Sequence, residues 1–177
     1  MRRNHLLAAV AAVLTLGAAS FAAEPTKLEL SDGKMSLVAP ESWKKVEPAV
    51  RIIDYEFSAP AAEEGGDPGR ITIMGAGGSI EANVDRWVGQ FAGAVKQPMK
   101  EEKIAGQTVY IVDISGDFRD QRGPFAPAEI KKDYRMLGAI IKSEKAGQYF
   151  IKFTGPKATV EHNEKAFKSM VDSLEVK

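Results

Sequence analysis

Two segments of this chain, far apart in the sequence, carry apolar residues at helical spacing, and they constrain its fold more than any other feature. The first stripe has intervals of four, seven, eight and eleven residues and follows Ser79, a predicted N-cap: Ile80, Val84, Trp87, Val88 and Phe91. The second lies in residues 158–174: Val160, Phe167, Val171 and Leu174. The sequence predicts two amphipathic helices, each of which must bury one face.

Between and before these helices the chain has the pattern of short strands joined by turns. Ser31-Asp32-Gly33 is a glycine-containing hairpin turn, and apolar and polar residues alternate from Ile52 to Ser58. Further strands are predicted at residues 70–74, 100–104, 107–115, 134–142 and 148–153. We therefore expect the α+β class, with an antiparallel β-sheet covered by two main helices.

The first 22 residues have the pattern of a secretory signal peptide. Met1-Arg2-Arg3 is basic, residues 6–19 are almost entirely apolar, and Ser20-Phe21-Ala22 places small residues at the cleavage positions. This predicts cleavage after Ala22, export to the periplasm or the exterior, and one domain over residues 23–177. Removal of Arg2 and Arg3 leaves 22 basic and 24 acidic residues.

Composition excludes several classes of anchor and partner. The chain has no cysteine, so neither a disulfide nor a lipid-modified cysteine is available, and stability must come from a packed core. Charges interrupt every apolar run after Ala22, which argues against a membrane span in the mature chain. The slightly acidic balance gives no reason to expect binding to nucleic acid.

Residue types that carry common chemistry are scarce, and no pattern indicates a cofactor, a metal or a catalytic residue. His162 is the only histidine after Ala22, so a zinc site lacks ligands, and its polar setting predicts an exposed side chain. Residues 75–79 miss the dinucleotide and P-loop patterns, so they are predicted to be a turn. Asp113, Asp117 and Asp120 lack the spacing of a calcium loop.

The segment with the strongest indication of binding is residues 118–127, inside a predicted long connection over residues 116–132. Long loops are often functional, arginine recognises carboxylates through two parallel hydrogen bonds, and an aromatic between prolines loses little entropy on binding. We predict Arg119, Arg122 and Phe125 as partner-contacting residues. The alternative is that Phe125 packs into the domain and the arginines pair with neighbouring carboxylates.

Several segments together resemble the PsbP-like fold superfamily. They are the apolar strand, Pro40 and Trp43 of residues 35–43; the helix with Trp87 and Phe91; the strand after Ala105-Gly106-Gln107; and residues 149–156 leading into a terminal helix. The resemblance spans residues 34–174. It implies an α/β/α sandwich used for binding or assembly, as in photosystem II extrinsic, Ran-binding and exported bacterial DcrB- and LpqN-type members. It transfers no functional residue.

Three functions remain open from the sequence. The leading hypothesis is an exported, non-enzymatic binding or assembly module for an envelope protein or a small ligand. The alternatives are a carboxylate-dependent hydrolase acting on sugars or cell-wall material, and a purely structural component of the envelope. The hydrolase requires two facing acidic residues in a cleft, which a sequence with 24 acidic residues neither shows nor excludes.

Overall fold

The computed structural model describes residues 26–121 and 127–177. The predicted signal peptide lies outside the described residues. Within them, the helices are α1 (Ile80–Val88) and α2 (Lys157–Asp172). The strands are β1 (Thr26–Leu30), β2 (Met35–Ala39), β3 (Lys44–Val46), β4 (Tyr55–Ala59), β5 (Gly69–Gly75), β6 (Phe91–Lys96), β7 (Lys100–Ile104), β8 (Gln107–Asp120), β9 (Glu129–Ser143), β10 (Gly147–Pro156) and β11 (Glu175–Val176).

The strands form two antiparallel sheets. The larger has eight strands in the order β3-β4-β5-β10-β9-β8-β6, and β7 pairs with the part of β8 that β6 leaves free. The smaller has the order β1-β2-β11, so the last strand of the chain pairs with the second. The turn between β1 and β2 has positive φ angles at Ser31, Asp32 and Gly33, as a tight hairpin requires.

The predicted fold class, α+β with an antiparallel sheet covered by two main helices, is wrong. Of the described residues, 52% lie in strands and 17% in helices, so the domain is mostly β rather than an α+β domain with helical layers. Both predicted helices exist, but a three-stranded sheet also covers the large sheet, beside α2. The α/β/α sandwich was what the PsbP-like resemblance implied. The two helices have a clear period in the sequence, whereas β3 and β6, which the sequence did not predict, lack a clear alternation of apolar and polar residues.

The two faces of the large sheet have separate apolar cores. On one face α2 and the small sheet pack against alternate residues of the central strands, and the buried set includes Leu28, Leu37, Phe57, Ile73, Val109, Ala139, Ile151, Phe153, Phe167 and Val171. On the other face the buried set is smaller and surrounds α1: Ile80, Val84, Trp87, Phe91, Val112, Ile114, Met136, Ile140 and Phe150. Trp87 is buried, as its place on the apolar stripe predicted, and Trp43 is buried in the core on the other face.

The long connection predicted over residues 116–132 is wrong, because both flanking strands continue into it. β8 runs to Asp120 and β9 begins at Glu129, so the connection is only residues 121–128. The continuation passes a bulge at Gly116, where an added Cβ would lie 2.8 Å from the carbonyl oxygen of Ala92. Gly116 lies just after the predicted end of the strand, but β8 continues through it. Its lack of a side chain allows this close backbone approach.

Candidate functional site

The β8–β9 hairpin extends past the end of β10, whereas β6 on its other side still pairs with β8 at Phe118. β10 leaves β9 at the pair Pro156–Tyr134, so residues 129–133 pair with β8 alone among the described strands. We call residues 118–121 and 127–131 the hairpin tip. No helix of the described residues is both long and apolar enough to cross a membrane.

One of the three predicted contact residues lies at this tip. Arg119 is in β8, exposed, and directly opposite Ile130 of β9, whose side chain is 45% exposed. Arg122 and Phe125 lie outside the described residues, so their roles stay predictions. Arg119 and Ile130 together form the outer face of the hairpin tip.

The other side of the hairpin tip borders a cavity that the sequence did not predict. Because successive side chains of a strand point to opposite faces, Phe118 and Asp120 point away from Arg119 and line this cavity. It has a volume of about 220 Å³. We call it the hairpin pocket, and its lining is Asp67, Pro68, Arg70, Thr72, Phe118, Asp120, Lys131, Tyr134, Lys152 and Thr154.

Lys152 of β10 is the most unusual group in this pocket. It is partly buried; its Nζ donates a hydrogen bond of 2.9 Å to Oε1 of Gln90 and lies 5.7 Å from the ring centroid of Trp87. Burial penalises the charged form, and repulsion from Arg70 adds to this effect, so the pKa of Lys152 falls to about 8. Lys152 forms no ion pair with any described residue.

The neighbouring cations differ from Lys152 because each already has a carboxylate. Arg70 donates to both carboxylate oxygens of Glu56, at 2.7 and 2.9 Å. Lys131 donates to Glu129 at 2.6 Å. Asp67 and Asp120 also line the pocket, so its wall is mixed in charge while the ammonium group of Lys152 lacks a carboxylate within the described segments.

An aromatic pair forms the wall nearest the hairpin tip. The rings of Phe118 and Tyr134 are stacked, with centroids 5.9 Å apart and an interplanar angle of 5°. Phe91 packs against Phe118 from behind, at 5.1 Å between centroids. Burial raises the pKa of Tyr134. Phe118 and Tyr134 therefore give the pocket an aromatic side that an apolar group could contact.

Gln90, between α1 and β6, connects the outer face and the pocket. Its carbonyl oxygen accepts a hydrogen bond of 2.8 Å from the backbone N–H of Arg119, and its side chain accepts the bond from Lys152. The position of Lys152 is therefore linked through one residue to the strand that carries Arg119.

The other residues considered in the sequence analysis are exposed or have a structural partner. His162 is exposed on α2, as predicted, and Ser79 caps α1 by accepting a hydrogen bond from the backbone N–H of Ala82. Asp113 is paired with Arg135, and Asp117 with Lys132. In residues 26–121 and 127–177 no group of three His, Cys, Asp or Glu residues is arranged to hold a metal ion.

Sequence reasoning missed the hairpin pocket because four separate strands and a loop contribute to it. The available signal was Lys152, the single charged residue of β10, which lies between Ile151 and Phe153. Such a lysine on one face of a central strand marks the place where the apolar cover of the sheet ends.

The structure resembles several solved proteins, although no protein-family model and no curated protein matches the sequence. Cyanobacterial PsbP (CyanoP) from Synechocystis sp. PCC 6803 has a TM-score of 0.56 and 11% identity, covering 92% of this chain and 99% of CyanoP. LpqN of Mycobacterium tuberculosis, involved in cell envelope biogenesis, has a TM-score of 0.54 and 7% identity, covering 88% and 87%. The Ran-binding protein Mog1p of Saccharomyces cerevisiae has a TM-score of 0.50 and 12% identity, covering 86% and 95%.

These similarities show that the chain has a PsbP-like fold, which confirms the resemblance seen in the sequence. At 7–12% identity they show the fold alone.

Proposed function

We propose that this protein is an exported, non-enzymatic binding or assembly module that docks onto a protein partner of the cell envelope through its hairpin tip. The observation that carries the proposal is the exposed cross-strand pair of Arg119 and Ile130, placed where the hairpin extends beyond β10. An apolar side chain 45% exposed beside an exposed guanidinium is a combination enriched in protein interfaces.

The edge of the hairpin carries residues that disfavour pairing with strands of other molecules. Residues 129–133 form a free edge with respect to the described strands, and this edge carries Lys131 and Lys132. Lysines on an edge strand discourage other strands from adding to it. A partner that docks here would use side-chain contacts on the outer face rather than extend the sheet.

Arg122 and Phe125 belong to the same proposal, since they lie in the sequence between Arg119 and Ile130. A guanidinium supplies bidentate hydrogen bonds to a partner carboxylate, and Phe125 supplies apolar area.

The proposal includes removal of residues 1–22 and a single domain over residues 23–177. Two neighbours in fold support protein binding and an envelope location: Mog1p is described as Ran-binding, and LpqN as involved in cell envelope biogenesis.

The test is capture of the partner from cross-linked envelope extract of the cells that make the protein, with a C-terminal tag on the chain. We expect one stoichiometric partner with the wild type. Arg119→Ala combined with Ile130→Ser, and separately Arg122→Ala combined with Phe125→Ala, should each reduce its yield at least tenfold. Ile52→Ser is the matched control, because Ile52 is 72% exposed in the loop between β3 and β4, on the opposite edge of the sheet.

Equal loss with the Ile52 control would contradict docking at the hairpin tip, as would full capture by both tip variants. Mass spectrometry of the captured protein tests export separately: its first residue should be Ala23. A chain that still begins at Met1 in the envelope fraction would contradict the cleavage.

A further inference from the structure

We propose that the hairpin pocket is a binding site for a small organic monocarboxylate with a flat, apolar body. Its carboxylate would bind Lys152, and its body would lie against the Phe118–Tyr134 wall. This site is on the face of β8 opposite Arg119 and does not depend on the docking of a partner protein.

The first argument is the charge left without a counter-ion. Lys152 lines the pocket and donates to Gln90 alone among the described residues, so two of its three N–H groups have no acceptor there. Arg70 and Lys131 already bind Glu56 and Glu129. A ligand anion would give Lys152 the partner that the described residues do not supply, and a charged hydrogen bond is stronger in a partly buried site.

The second argument fixes the charge of the ligand at one. Asp67 and Asp120 share the lining, so a multiply charged anion would meet carboxylates on the same wall. One uncompensated ammonium group matches one negative charge. The pocket therefore favours a carboxylate over a phosphate dianion.

The third argument concerns the hydrogen bonds of the second carboxylate oxygen. Thr72 of β5 is the cross-strand partner of Lys152, and Thr154 lies two residues along β10 on the same face. Neither hydroxyl forms a hydrogen bond to another described residue. Both residues line the pocket, so their hydroxyls are candidate donors to the second carboxylate oxygen.

The fourth argument is the size and shape of the pocket. A cavity of roughly 150 Å³ holds benzene, and the hairpin pocket has about 220 Å³, enough for a ring with one carboxylate. Phe118 and Tyr134 both line this cavity, and their rings would be the aromatic contacts of such a ligand ring.

The test is a titration of the purified protein with benzoate at neutral pH, followed by NMR. We expect saturable shifts with a Kd on the order of 1 mM, at residues around Lys152 and Tyr134. Benzamide, which has the same shape without the charge, and inorganic phosphate should each bind at least tenfold more weakly. Equal binding of benzamide or phosphate would overturn the proposal, and so would the absence of saturable benzoate shifts.

Variants test the role of Lys152 directly. Lys152→Met keeps the length of the side chain over Trp87 and should weaken benzoate binding at least tenfold. Lys152→Arg should retain binding within about threefold, since it keeps the charge. Lys142→Met, at an exposed lysine of β9 outside the pocket, is the matched control and should bind as the wild type does. Undiminished benzoate binding by Lys152→Met would overturn the proposal.

The pH dependence provides a further readout. The pKa of Lys152 is about 8, so benzoate affinity should fall as the pH rises through that value. The other titratable groups facing the pocket are Asp67, Arg70 of β5, Asp120 of β8, and Lys131 and Tyr134 of β9. In the Lys152→Arg protein, benzoate affinity should stay constant between about pH 7 and about pH 9. A fall that persists in this variant would assign the effect to another group and overturn the role of Lys152.

Discussion

The two faces of the large sheet are covered to different extents. One face lies under the 16-residue helix α2 and the three-stranded sheet, and its core is continuous from Leu28 to Leu174. The other face has the nine-residue α1, and beyond the end of this helix the sheet is open as the hairpin pocket. One face therefore has the larger core, whereas the other has a smaller core beside an open pocket.

Adjacent residues of β10 illustrate the division. Phe153 is fully buried between the rings of Trp43 and Phe167. Lys152, one position earlier, points to the opposite face and reaches the hairpin pocket. A single strand thus anchors the core on one side and presents a cation on the other, and substitutions on the two sides should have different consequences.

The largest effect is expected at Phe153. Phe153→Ala should lower the free energy of unfolding by about 3–5 kcal/mol, because it leaves a cavity in the continuous core. Phe118→Ala, in the partly exposed wall of the pocket, should cost only about 1–2 kcal/mol, because less of its area is removed from water. Urea denaturation measures both. Equal losses would contradict the proposed difference between the faces.

The next effect concerns the covered part of the α1 face. An added Cβ at Gly138 would lie 2.7 Å from Cζ3 of Trp87, so Gly138→Ala should displace the indole and cost about 1–3 kcal/mol. Gly77→Ala is the control, since no heavy atom lies within 4 Å of the added group. Urea denaturation and the near-ultraviolet circular dichroism of tryptophan measure the outcome. An unperturbed Gly138→Ala protein would show that α1 does not pack tightly.

The open part of the α1 face should show in the pH dependence of stability. Lys152 has a pKa of about 8 in the folded protein and the ordinary 10.5 when unfolded, so between these values the unfolded chain binds more protons. The free energy of unfolding of the wild type should therefore rise with pH relative to Lys152→Met, by on the order of 1 kcal/mol per pH unit above about pH 8. A constant difference between the two proteins up to about pH 9.5 would contradict the burial of this ammonium group.

The smallest effect is expected at the helix caps. Ser79→Ala should cost about 0.5–1 kcal/mol, because the side chain of Ser79 accepts the hydrogen bond from Ala82 at the start of α1. Ser79→Asp should restore most of this loss. The N-cap position of α2 is Pro156, which makes no side-chain capping bond, so α2 depends on its contacts with the rest of the domain. Thermal unfolding of the three proteins measures the cost, and identical midpoints would contradict the contribution of this cap.

The sequence predicted the elements that have a strong period or a definite end signal. Both helices, the first hairpin, the burial of Trp87 and the cap at Ser79 follow from local patterns and are confirmed. Phe91 fitted the stripe of the first helix, yet it begins β6, because α1 ends at Val88 and the chain turns at Gly89. The helical period continued past the real helix, and tertiary pairing with β8 decided its end.

The site was predictable only in part, since its residues meet through the sheet and not through the sequence. Arg119 was predicted from the composition of its segment, and it lies on the outer face of the hairpin tip. Lys152, Thr72 and Tyr134 come from three strands whose order is β5-β10-β9, an order that no local pattern specifies. The three-stranded sheet was missed for the same reason, because it pairs strands from opposite ends of the described chain.

The most direct test of the open face is a titration of the side-chain nitrogen of Lys152 by heteronuclear NMR in the free protein. Our account predicts a pKa of about 8, because the ammonium group is partly buried and has Gln90, rather than a carboxylate, as its partner among the described residues. A pKa near the ordinary 10.5 would contradict this, since it would mean that Lys152 is fully solvated or has a compensating anion.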